Sequence, residues 1–472
     1  MRVKTRMAPS PTGNLHLGTA FATLWPFVLA KKGSGGEFVL RIEDTDRGRS
    51  TKEYEENIIN GLKWLGFEWD EGPFHQMDRL KLYQEVTDKL ISEDKAYFCF
   101  CTKEELEQER ENQAKAHLPQ VYSGKCRNLT IKEVEAKKKE GIPFVVRFKL
   151  PEDRGVVEYE DLIHHTVKFD SALLGDMVIM RQNGIPLYNF AVVVDDWDMK
   201  ITQVIRGDDH ISNTPKQILF FEALGATPPQ YAHYPMILNQ DRQGKLSKRT
   251  GSTSVEEYKK DGYLPESLIN YLALLGWTHP EGKEIFDIAE LIEKFDIKDM
   301  NSSASAWNQQ KLDWINGEYI RKLSDEELTE RLQDFLVDHP AREKIAPVVP
   351  LIKERIKKLS DFIPLTDFLF GKPEYEKVIF EQVVGDKKAQ LPMFLSEIKS
   401  TLEKASRPWS AQDFERSFRE LAEKLGLNTT QMFQLIRITI SGKSVTPPLF
   451  ESIQLLGEEE TIKRVEIANN LF

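Results

Sequence analysis

The chain has 472 residues and a formal net charge of −11 at pH 7, with 40% hydrophobic and 29% charged residues. This composition excludes a disordered chain, and no apolar run reaches the roughly 18 residues that a membrane span needs. The N-terminus lacks the apolar segment of a signal peptide, so we expect a cytoplasmic protein of roughly two to four domains. The acidic total is only weak evidence against a nucleic-acid partner, because phosphate contacts depend on local basic patches.

The first predicted elements alternate between strands and helices. Residues 3–8 and 37–42 indicate strands, and helices are predicted from Thr19 and from Thr51. Because this is the pattern of βαβ units, it predicts a parallel sheet with ligands beyond the carboxyl ends of its strands.

The turn at residues 9–19 joins the first strand to the first helix. Its prolines and Gly13 interrupt regular structure, Gly18 lets a ligand approach the backbone, and the free N–H groups of the new helix favour an anion. His16 adds a hydrogen-bond donor at the same point. The turn therefore indicates a phosphate site, with an ordinary turn carrying a surface histidine as the alternative.

Residues 84–182 have a different character, with lysine- and glutamate-rich stretches at 106–116 and 132–140 that predict helices. All three cysteines lie in this segment: Cys99, Cys101 and Cys126. The first two are closer together than in the usual Cys-x2-4-Cys of zinc ribbons, and three thiolates leave one position of a tetrahedral ion to Tyr122 or to water. The cysteines are therefore either a structural zinc site or three reduced thiols.

Two apolar runs follow, and both predict buried strands. Residues 185–196 contain several β-branched residues in succession, and residues 201–206 form the second run. An arginine at the end of a buried strand needs an anionic partner. Arg206 therefore needs an anionic partner, and Asp208 or Asp209 is the alternative to a ligand in that position.

A short polar loop at residues 244–251 is bounded by glycines and contains Lys245, Lys248 and Arg249. Three cations in such a loop suit a mobile clamp on a polyphosphate. A solvated basic turn is the alternative.

Two motifs in this order and at this separation resemble the paired nucleotide-binding signatures of class I aminoacyl-tRNA synthetases. They are His-Leu-Gly-Thr at residues 16–19 and Lys-Leu-Ser-Lys-Arg at residues 245–249. With residues 9–19 and 41–46 included, the chain resembles the bacterial-type glutamyl-tRNA synthetases from Arg6 to its C-terminus.

The resemblance implies an α/β fold with a class I Rossmann-like catalytic domain, an inserted tRNA acceptor-binding domain and an all-helical anticodon-binding domain. The two halves of the catalytic domain would be residues 1–83 and 183–255, and the insertion would be residues 84–182. The connecting stem-contact domain would be residues 256–321, and the anticodon-binding domain residues 322–472. In the last of these, the helical spacing of Phe414, Phe418, Leu421 and Leu425 predicts a core stripe.

The resemblance also implies roles for individual residues. The implied catalytic residues are His16, Lys245 and Lys248. The implied ATP-binding residues are Pro9, Thr12, Gly13, His16, Gly18, Thr19, Leu246, Ser247 and Lys248. The implied glutamate-binding residues are Arg6, Ser10, Glu43, Tyr188 and Arg206. Arg206 would hold the side-chain carboxylate, and Glu43 would receive the α-ammonium group unless it only forms an ion pair with Arg41.

Two further sites depend on the same resemblance. In zinc-bearing relatives the fourth ligand is a histidine two positions after the third cysteine, where this chain has Asn128, a poor zinc ligand. Arg355, on a helix predicted through residues 353–358, matches the family arginine that approaches the third anticodon base. A phosphate contact or a solvated side chain is the alternative for Arg355.

The implied activity is that of a glutamate–tRNA ligase, which uses ATP with Mg²⁺ to activate glutamate and transfers it to tRNA-Glu. We expect a monomer without a membrane partner. A glutaminyl-tRNA synthetase is disfavoured because an amide cannot compensate the charges of Arg6 and Arg206. A catalytically silent tRNA-binding paralogue is the remaining alternative.

Overall fold

The computed structural model describes residues 2–246 and 254–472. The chain forms two compact units. Unit 1 contains Met1–Tyr258 and Leu268–Asn308, and unit 2 contains Lys259–Ser267 and Gln309–Phe472. Within the described ranges, no helix combines the length and the apolar character needed to cross a bilayer.

Unit 1 begins with three parallel strands in the order β1-β2-β3. Its first elements are β1 (Lys4–Met7), α1 (Leu17–Lys32), β2 (Glu37–Ile42), α2 (Lys52–Trp64) and β3 (Glu71–His75). The βαβ pattern expected from the sequence is therefore present. Helix α1 begins two residues before the predicted Thr19, because the His16 side chain caps it and accepts the Thr19 N–H at 3.2 Å.

The next segment of unit 1 contains a small antiparallel sheet in the order β4-β5-β8. Its elements are α3 (Leu80–Ser92), β4 (Ala96–Cys99), α4 (Lys103–Lys115), α5 (Ile131–Lys139), β5 (Val145–Phe148), β6 (Val156–Asp161), β7 (His165–Asp170) and β8 (Val178–Met180). Helices α4 and α5 are the two that the charged stretches predict. Each begins with a capping box, at Thr102 and at Thr130.

The remaining elements of unit 1 complete a third sheet in the order β7-β6-β10-β9. They are α6 (Tyr188–Asp198), β9 (Gln203–Gly207), α7 (Thr214–Leu224), β10 (Gln230–Tyr234), α8 (Val255–Lys260), α9 (Pro265–Gly276) and α10 (Ile288–Lys294). Strand β10 runs parallel to both β9 and β6. The Thr202 N–H donates to the Lys4 carbonyl at 2.8 Å, which joins this sheet to β1.

The predicted strand at residues 185–196 is wrong, because most of this run forms helix α6. Its residues from Phe190 to Asp196 are all buried, and several of them pack in the main core of unit 1. The five residues from Phe190 to Val194 are all apolar and buried, so this part of the run lacks the period that distinguishes a helix from a buried strand.

Unit 2 contains only helices among its described regular elements, as expected for the C-terminal part. They are α11 (Gln309–Lys322), α12 (Asp325–Phe335), α13 (Val349–Ile352), α14 (Phe362–Thr366), α15 (Lys377–Val384), α16 (Leu391–Lys404), α17 (Ala411–Leu425), α18 (Thr429–Ser441), α19 (Leu449–Leu456) and α20 (Glu458–Asn469). The stripe predicted on α17 lies in the core: Phe414, Phe418 and Leu421 are buried, and Leu425 packs at the edge.

The helix predicted through residues 353–358 is wrong, because α13 ends at Ile352 and the chain then turns. Ile352 and Ile356 are both fully buried. The carboxylate of Asp361 accepts the backbone N–H groups of Lys357 and Lys358 at 2.9 and 3.0 Å, which holds this turn in place. The cations of this segment therefore do not share one helix.

Candidate active site

His16 organises the turn between β1 and α1. Its Nδ1 accepts the Thr19 N–H, and its Nε2 lies 3.1 Å from the Thr19 hydroxyl. A Cβ at Gly18 would lie 3.0 Å from the imidazole ring, so a side chain there would displace the histidine. The turn thus combines an exposed imidazole with the N-terminus of α1, which is a suitable arrangement for a phosphate group.

The described residues on the two sides of the second motif form backbone hydrogen bonds, and those on the C-terminal side reach this turn. On one side, the Leu246 N–H donates to the Ile237 carbonyl at 2.9 Å. On the other, the Val255 N–H donates to the Leu15 carbonyl at 3.0 Å. The intervening Ser247 and Lys248, both predicted site residues, lie outside the described residues.

A cavity of about 710 Å³ opens at the carboxyl ends of the parallel strands. Every predicted catalytic, ATP-binding or glutamate-binding residue that the structure describes lines it: Arg6, Pro9, Ser10, Thr12, Gly13, His16, Gly18, Thr19, Glu43, Tyr188, Arg206, Lys245 and Leu246. These residues come from distant parts of the sequence, and the parallel strands bring them to one edge.

Buried charged side chains lie beneath one wall of the cavity. Asp196 of α6 accepts hydrogen bonds from Arg6 Nε at 3.2 Å and from Arg41 Nη1 at 2.7 Å. Arg41 also donates to Glu43 Oε1 at 3.3 Å, so the alternative ion pair of Glu43 does form. Burial raises the pKa of Glu43 to about 7 against the lowering effect of Arg41 and Arg6. Glu43 still lines the cavity, where a cation could take up its charge.

Arg206 is buried without a carboxylate partner among the described residues. Its Nε donates to His233 Nε2 at 3.1 Å and its Nη2 donates to the Thr214 hydroxyl at 2.8 Å. Its Nη1 is buried and makes no hydrogen bond within the described part of the chain. Neither Asp208 nor Asp209 forms an ion pair with it there, so that alternative is wrong. Burial lowers the pKa of this guanidinium, which shows the cost of its isolated charge.

The cavity also contains polar residues that the sequence analysis missed. The Tyr188 hydroxyl lies 3.2 Å from His210 Nδ1, and Asp209 lies 3.7 Å from the Lys245 ammonium. Burial, with the nearby charge of Arg206, lowers the pKa of His210 to about 4. The sequence does show Asp209 and His210 directly after a predicted strand, but only the fold shows that they face the cavity.

The three cysteines converge in unit 1. The sulfur atoms of Cys99, Cys101 and Cys126 lie within 4.8 Å of one another. The Tyr122 hydroxyl lies 3.4 Å from Cys99 Sγ and 3.3 Å from Cys101 Sγ, while Asn128 is exposed. Hydrogen bonding from Cys126 lowers the pKa of Cys99 to about 4. Three sulfurs supply three of the four ligands of a tetrahedral Zn²⁺ site and leave the fourth position to the nearby Tyr122 hydroxyl or to water.

In unit 2, Arg355 is exposed and donates to the Thr446 carbonyl at 3.1 Å. Arg437 lies beside it and donates to the Thr446 hydroxyl at 3.3 Å. Burial, together with the charge of Arg355, lowers the pKa of Arg437. Two neighbouring arginines that share a threonine form a local concentration of positive charge on an acidic chain.

The parallel sheet, the turn in which His16 caps α1, and Lys245 and Leu246 of the second motif meet at one cavity, as in a class I aminoacyl-tRNA synthetase. A family model described as "tRNA synthetases class I (E and Q), catalytic domain" matches residues 2–314, and one described as "Anticodon binding domain" matches residues 327–469. The chain belongs to the class I tRNA synthetases of the E and Q type, with a C-terminal helical anticodon-binding domain. The family and fold class predicted from the sequence are therefore confirmed.

Curated relatives match this chain along nearly its full length. The glutamate–tRNA ligase of Aquifex aeolicus is 46% identical and covers 98% of each chain. Glutamate–tRNA ligase 2 of Thermoanaerobacter pseudethanolicus is 42% identical, over 99% of this chain and 98% of the relative. Among solved structures, a glutamate tRNA ligase from Elizabethkingia meningosepticum in complex with its amino acid is 31% identical. It has a TM-score of 0.88 and covers 100% of this chain and 99% of that one.

Proposed function

We propose that this protein is a glutamate–tRNA ligase, which activates glutamate with ATP and transfers it to the acceptor end of tRNA-Glu. Relatives 42–46% identical over almost the whole chain have this name. The observation that carries the choice of amino acid is Arg206, a buried cation in the cavity wall. Among the residues that the structure describes, its partners are neutral and one of its nitrogens has none. A side-chain carboxylate of the substrate would supply the missing charge and hydrogen bonds.

In the first step, the α-carboxylate of glutamate attacks the α-phosphorus of ATP, and pyrophosphate leaves with the electron pair of the broken bond. His16 and the N-terminus of α1 would stabilise the phosphates, and Lys245 and Lys248 the leaving pyrophosphate. ATP enters with Mg²⁺, as in class I synthetases generally. The protein forms no covalent bond to the substrate. Positioning of the reactants and electrostatic stabilisation would therefore account for the rate acceleration.

In the second step, a terminal ribose hydroxyl of tRNA-Glu attacks the activated carbonyl carbon and AMP leaves. Glu43 would hold the α-ammonium group through both steps. Tyr188, at the first turn of α6, and Arg206 would hold the rest of the amino acid. Ser10 and Arg6 complete the proposed glutamate pocket, with the Arg6 charge compensated by Asp196.

The geometry disfavours both alternatives. A glutaminyl-tRNA synthetase would leave Arg206 without a counter-charge, because an amide side chain is neutral. A silent paralogue would not need His16 and Lys245 to line the same cavity as the proposed glutamate residues.

We also propose a structural zinc ion held by Cys99, Cys101 and Cys126. Tyr122, rather than Asn128, supports the fourth position, because its hydroxyl lies within 3.4 Å of two of the sulfurs. Bound zinc would supply folding stability to this segment, and no catalytic step requires it.

The proposed function is tested by aminoacylation of tRNA-Glu and tRNA-Gln with glutamate or glutamine, and by ATP–pyrophosphate exchange with and without tRNA. We expect wild type to charge tRNA-Glu with glutamate only. Arg206→Ala should lower kcat/KM for glutamate by about 10²-fold or more and leave the KM for ATP unchanged, since it removes one charge-assisted contact.

Arg154→Ala is the matched control, because Arg154 pairs with Glu222 at 2.8 Å and does not line the cavity. This variant should keep wild-type kinetics. Charging with glutamine in place of glutamate would refute the proposal. Failure of exchange both with and without tRNA would favour the silent paralogue instead.

A further inference from the structure

The pairing register of β9, β10 and β6 places an uncharged side chain, that of His233, beside Arg206. Strand β10 pairs in parallel with β9 so that His233 lies directly opposite Arg206. The same strand pairs with β6, where Tyr231 lies opposite Asp161. This register brings Asp161 and Arg206 to opposite sides of the His233 imidazole. All three side chains are buried.

Asp161 determines which nitrogen of His233 carries the proton. Its Oδ2 lies 2.6 Å from His233 Nδ1, so this nitrogen donates to the carboxylate. Its Oδ1 accepts the backbone N–H groups of Ile163 and His164 at 3.0 and 2.9 Å. Burial acts to raise the pKa of Asp161, but these hydrogen bonds outweigh it and lower the pKa. The carboxylate is therefore ionised and fixed in orientation.

His233 is neutral in this arrangement, because burial lowers its pKa despite the hydrogen bond to Asp161. With the proton on Nδ1, the lone pair of Nε2 faces Arg206 and accepts its Nε–H at 3.1 Å. The Thr214 hydroxyl, at the start of α7, accepts the Nη2–H of the same guanidinium at 2.8 Å. Arg206 is thus held in place by two neutral acceptors, and its charge stays available.

We propose that Asp161, His233 and Thr214 are positioning residues that hold Arg206 as a cation with no carboxylate partner in the described part of the chain, and that they thereby determine selection of an amino acid with an anionic side chain. This inference rests on the proposed role of Arg206 in binding the glutamate carboxylate. A carboxylate placed directly on Arg206 would orient it equally well but would neutralise it. Here the Asp161 carboxylate orients the His233 imidazole, and the imidazole in turn orients the Arg206 guanidinium. The carboxylate and the guanidinium therefore do not contact each other.

Asp161→Asn tests the tautomer without a change in size. Because Oδ1 is fixed by backbone N–H groups, the new amide would direct its NH₂ group at His233 Nδ1. The imidazole would then have to carry its proton on Nε2, which removes the acceptor of the Arg206 Nε–H and leaves the Thr214 hydroxyl, 3.0 Å away, as the acceptor for Nε2–H. The same logic explains the loss of activity on replacing the aspartate of a catalytic triad by asparagine.

The experiment compares Asp161→Asn, Thr214→Val and Arg206→Ala by KM for glutamate, KM for ATP, kcat and glutamate-to-glutamine selectivity. We expect Asp161→Asn and Thr214→Val each to raise the KM for glutamate by about ten-fold or more, since each removes a hydrogen bond to a charged group. The KM for ATP should stay unchanged. In ¹⁵N spectra of histidine-labelled protein, the His233 resonances should report the Nδ1–H tautomer in wild type and the Nε2–H tautomer in Asp161→Asn.

Asp70→Asn is the matched control. Like Asp161, Asp70 accepts hydrogen bonds from a backbone N–H and from a side chain, those of Phe38 and Lys31, but it does not line the cavity. It should leave the KM for glutamate unchanged. An effect of Arg206→Ala without an effect of Asp161→Asn or Thr214→Val would overturn this inference and leave the proposed function standing. No effect of Arg206→Ala on glutamate would overturn the role of Arg206 and this inference with it. If Asp161→Asn unfolds at the assay temperature, Thr214→Val alone decides the outcome.

Discussion

Glu43 is a carboxyl group whose surroundings oppose its ionisation. Burial raises its pKa to about 7, although Arg41 and Arg6 act in the opposite direction. An incoming α-ammonium group would add a third cation and favour the carboxylate. If Glu43 accepts this ammonium group, binding of the amino acid should release a proton from Glu43 in the neutral pH range.

The affinity for glutamate should therefore depend on pH. Glu43 is increasingly protonated as the pH falls below about 7, and the protonated form cannot pair with an ammonium group. The KM for glutamate should fall by at most about ten-fold per pH unit from pH 5.5 to 7 and level off above. Steady-state kinetics across this range measure it, with the KM for ATP as an internal reference.

Glu43→Gln is the control, because it keeps the shape of the side chain and removes the titration. It should bind glutamate more weakly and show a flat profile over the same range. A flat profile in wild type would contradict the role of Glu43 as the ammonium acceptor.

The sequence predicts residues that the structure places along the cavity, but it does not predict the residues that support them. His16, Glu43 and Arg206 occur in recognisable motifs or at strand ends, where chemistry can be inferred from position. His233 and Asp161 are separated by 72 residues, and their hydrogen bond depends on the register of β6, β10 and β9. Register is a property of the folded sheet, so no local pattern predicts it.

Helix α6 is held in place by contacts of buried carboxylates. It begins after Pro186 and contains Asp195 and Asp196, both buried. Asp195 accepts hydrogen bonds from Gln76 at 2.8 Å, Arg79 at 2.7 Å and Tyr83 at 2.9 Å. The helix is thus fixed by charged contacts at its C-terminal end as well as by apolar packing.

Asp195→Ala should lower the free energy of unfolding by about 3–5 kcal/mol, because it leaves buried donors and part of the charge of Arg79 without a partner. Asp198→Ala, three residues further along, should cost about 0–1 kcal/mol, since Asp198 is partly exposed and pairs with Arg79 near the surface. Urea unfolding of the two variants measures this difference. Equal losses would show that Asp195 is not the anchor of α6.

The wrong strand and the wrong C-terminal helix have related causes. The run at 185–196 is short and its centre, residues 190–194, is uniformly apolar, so helix and strand give the same sequence signal there. The run at 353–358 contains good helix formers, but burial of Ile356 and capping by Asp361 favour a turn. Elements with a clear polar face, such as α17, were predicted correctly because one side of the helix meets solvent.

The cluster of Cys99, Cys101 and Cys126 joins β4 to the turn before α5, and we predict that it binds zinc. Purified protein should contain close to one zinc per chain, and a chelator should lower its thermal stability. Cys101→Ser should lose the metal. Asn128→Ala should keep it, because Asn128 is exposed and is a poor ligand. Elemental analysis that finds no metal in wild type, with all three thiols titrating freely, would refute the site.

For the molecule as a whole, the net charge of −11 makes local basic groups decisive for binding tRNA. Arg355 and Arg437 form such a group in the part of the chain that matches the anticodon-binding domain. The anticodons of tRNA-Glu and tRNA-Gln end in C and G, respectively. An arginine can donate to the carbonyl oxygen of C and meets a donor edge on G.

If Arg355 recognises that base, Arg355→Gln should reduce discrimination between the two tRNAs by roughly 1–3 kcal/mol and permit mischarging of tRNA-Gln. Charging of both purified tRNAs by wild type and variant measures this. If Arg355 contacts only phosphate, both tRNAs should bind more weakly by the same factor and with a shallower salt dependence. Equal charging of both tRNAs by wild type would contradict a discriminating role.

Strand β6 lies within residues 84–182, the predicted insertion, yet it is hydrogen-bonded between β7 and β10 in the sheet that supports Arg206. Residues 84–182 therefore cannot be deleted or exchanged as an independent domain without disrupting this sheet. Their deletion would convert β10 into an open edge with unpaired backbone groups, which invites aggregation, and would remove Asp161 as well. A chimera with a related enzyme would have to carry the hairpin of β6 and β7 together with β9 and β10 from a single parent.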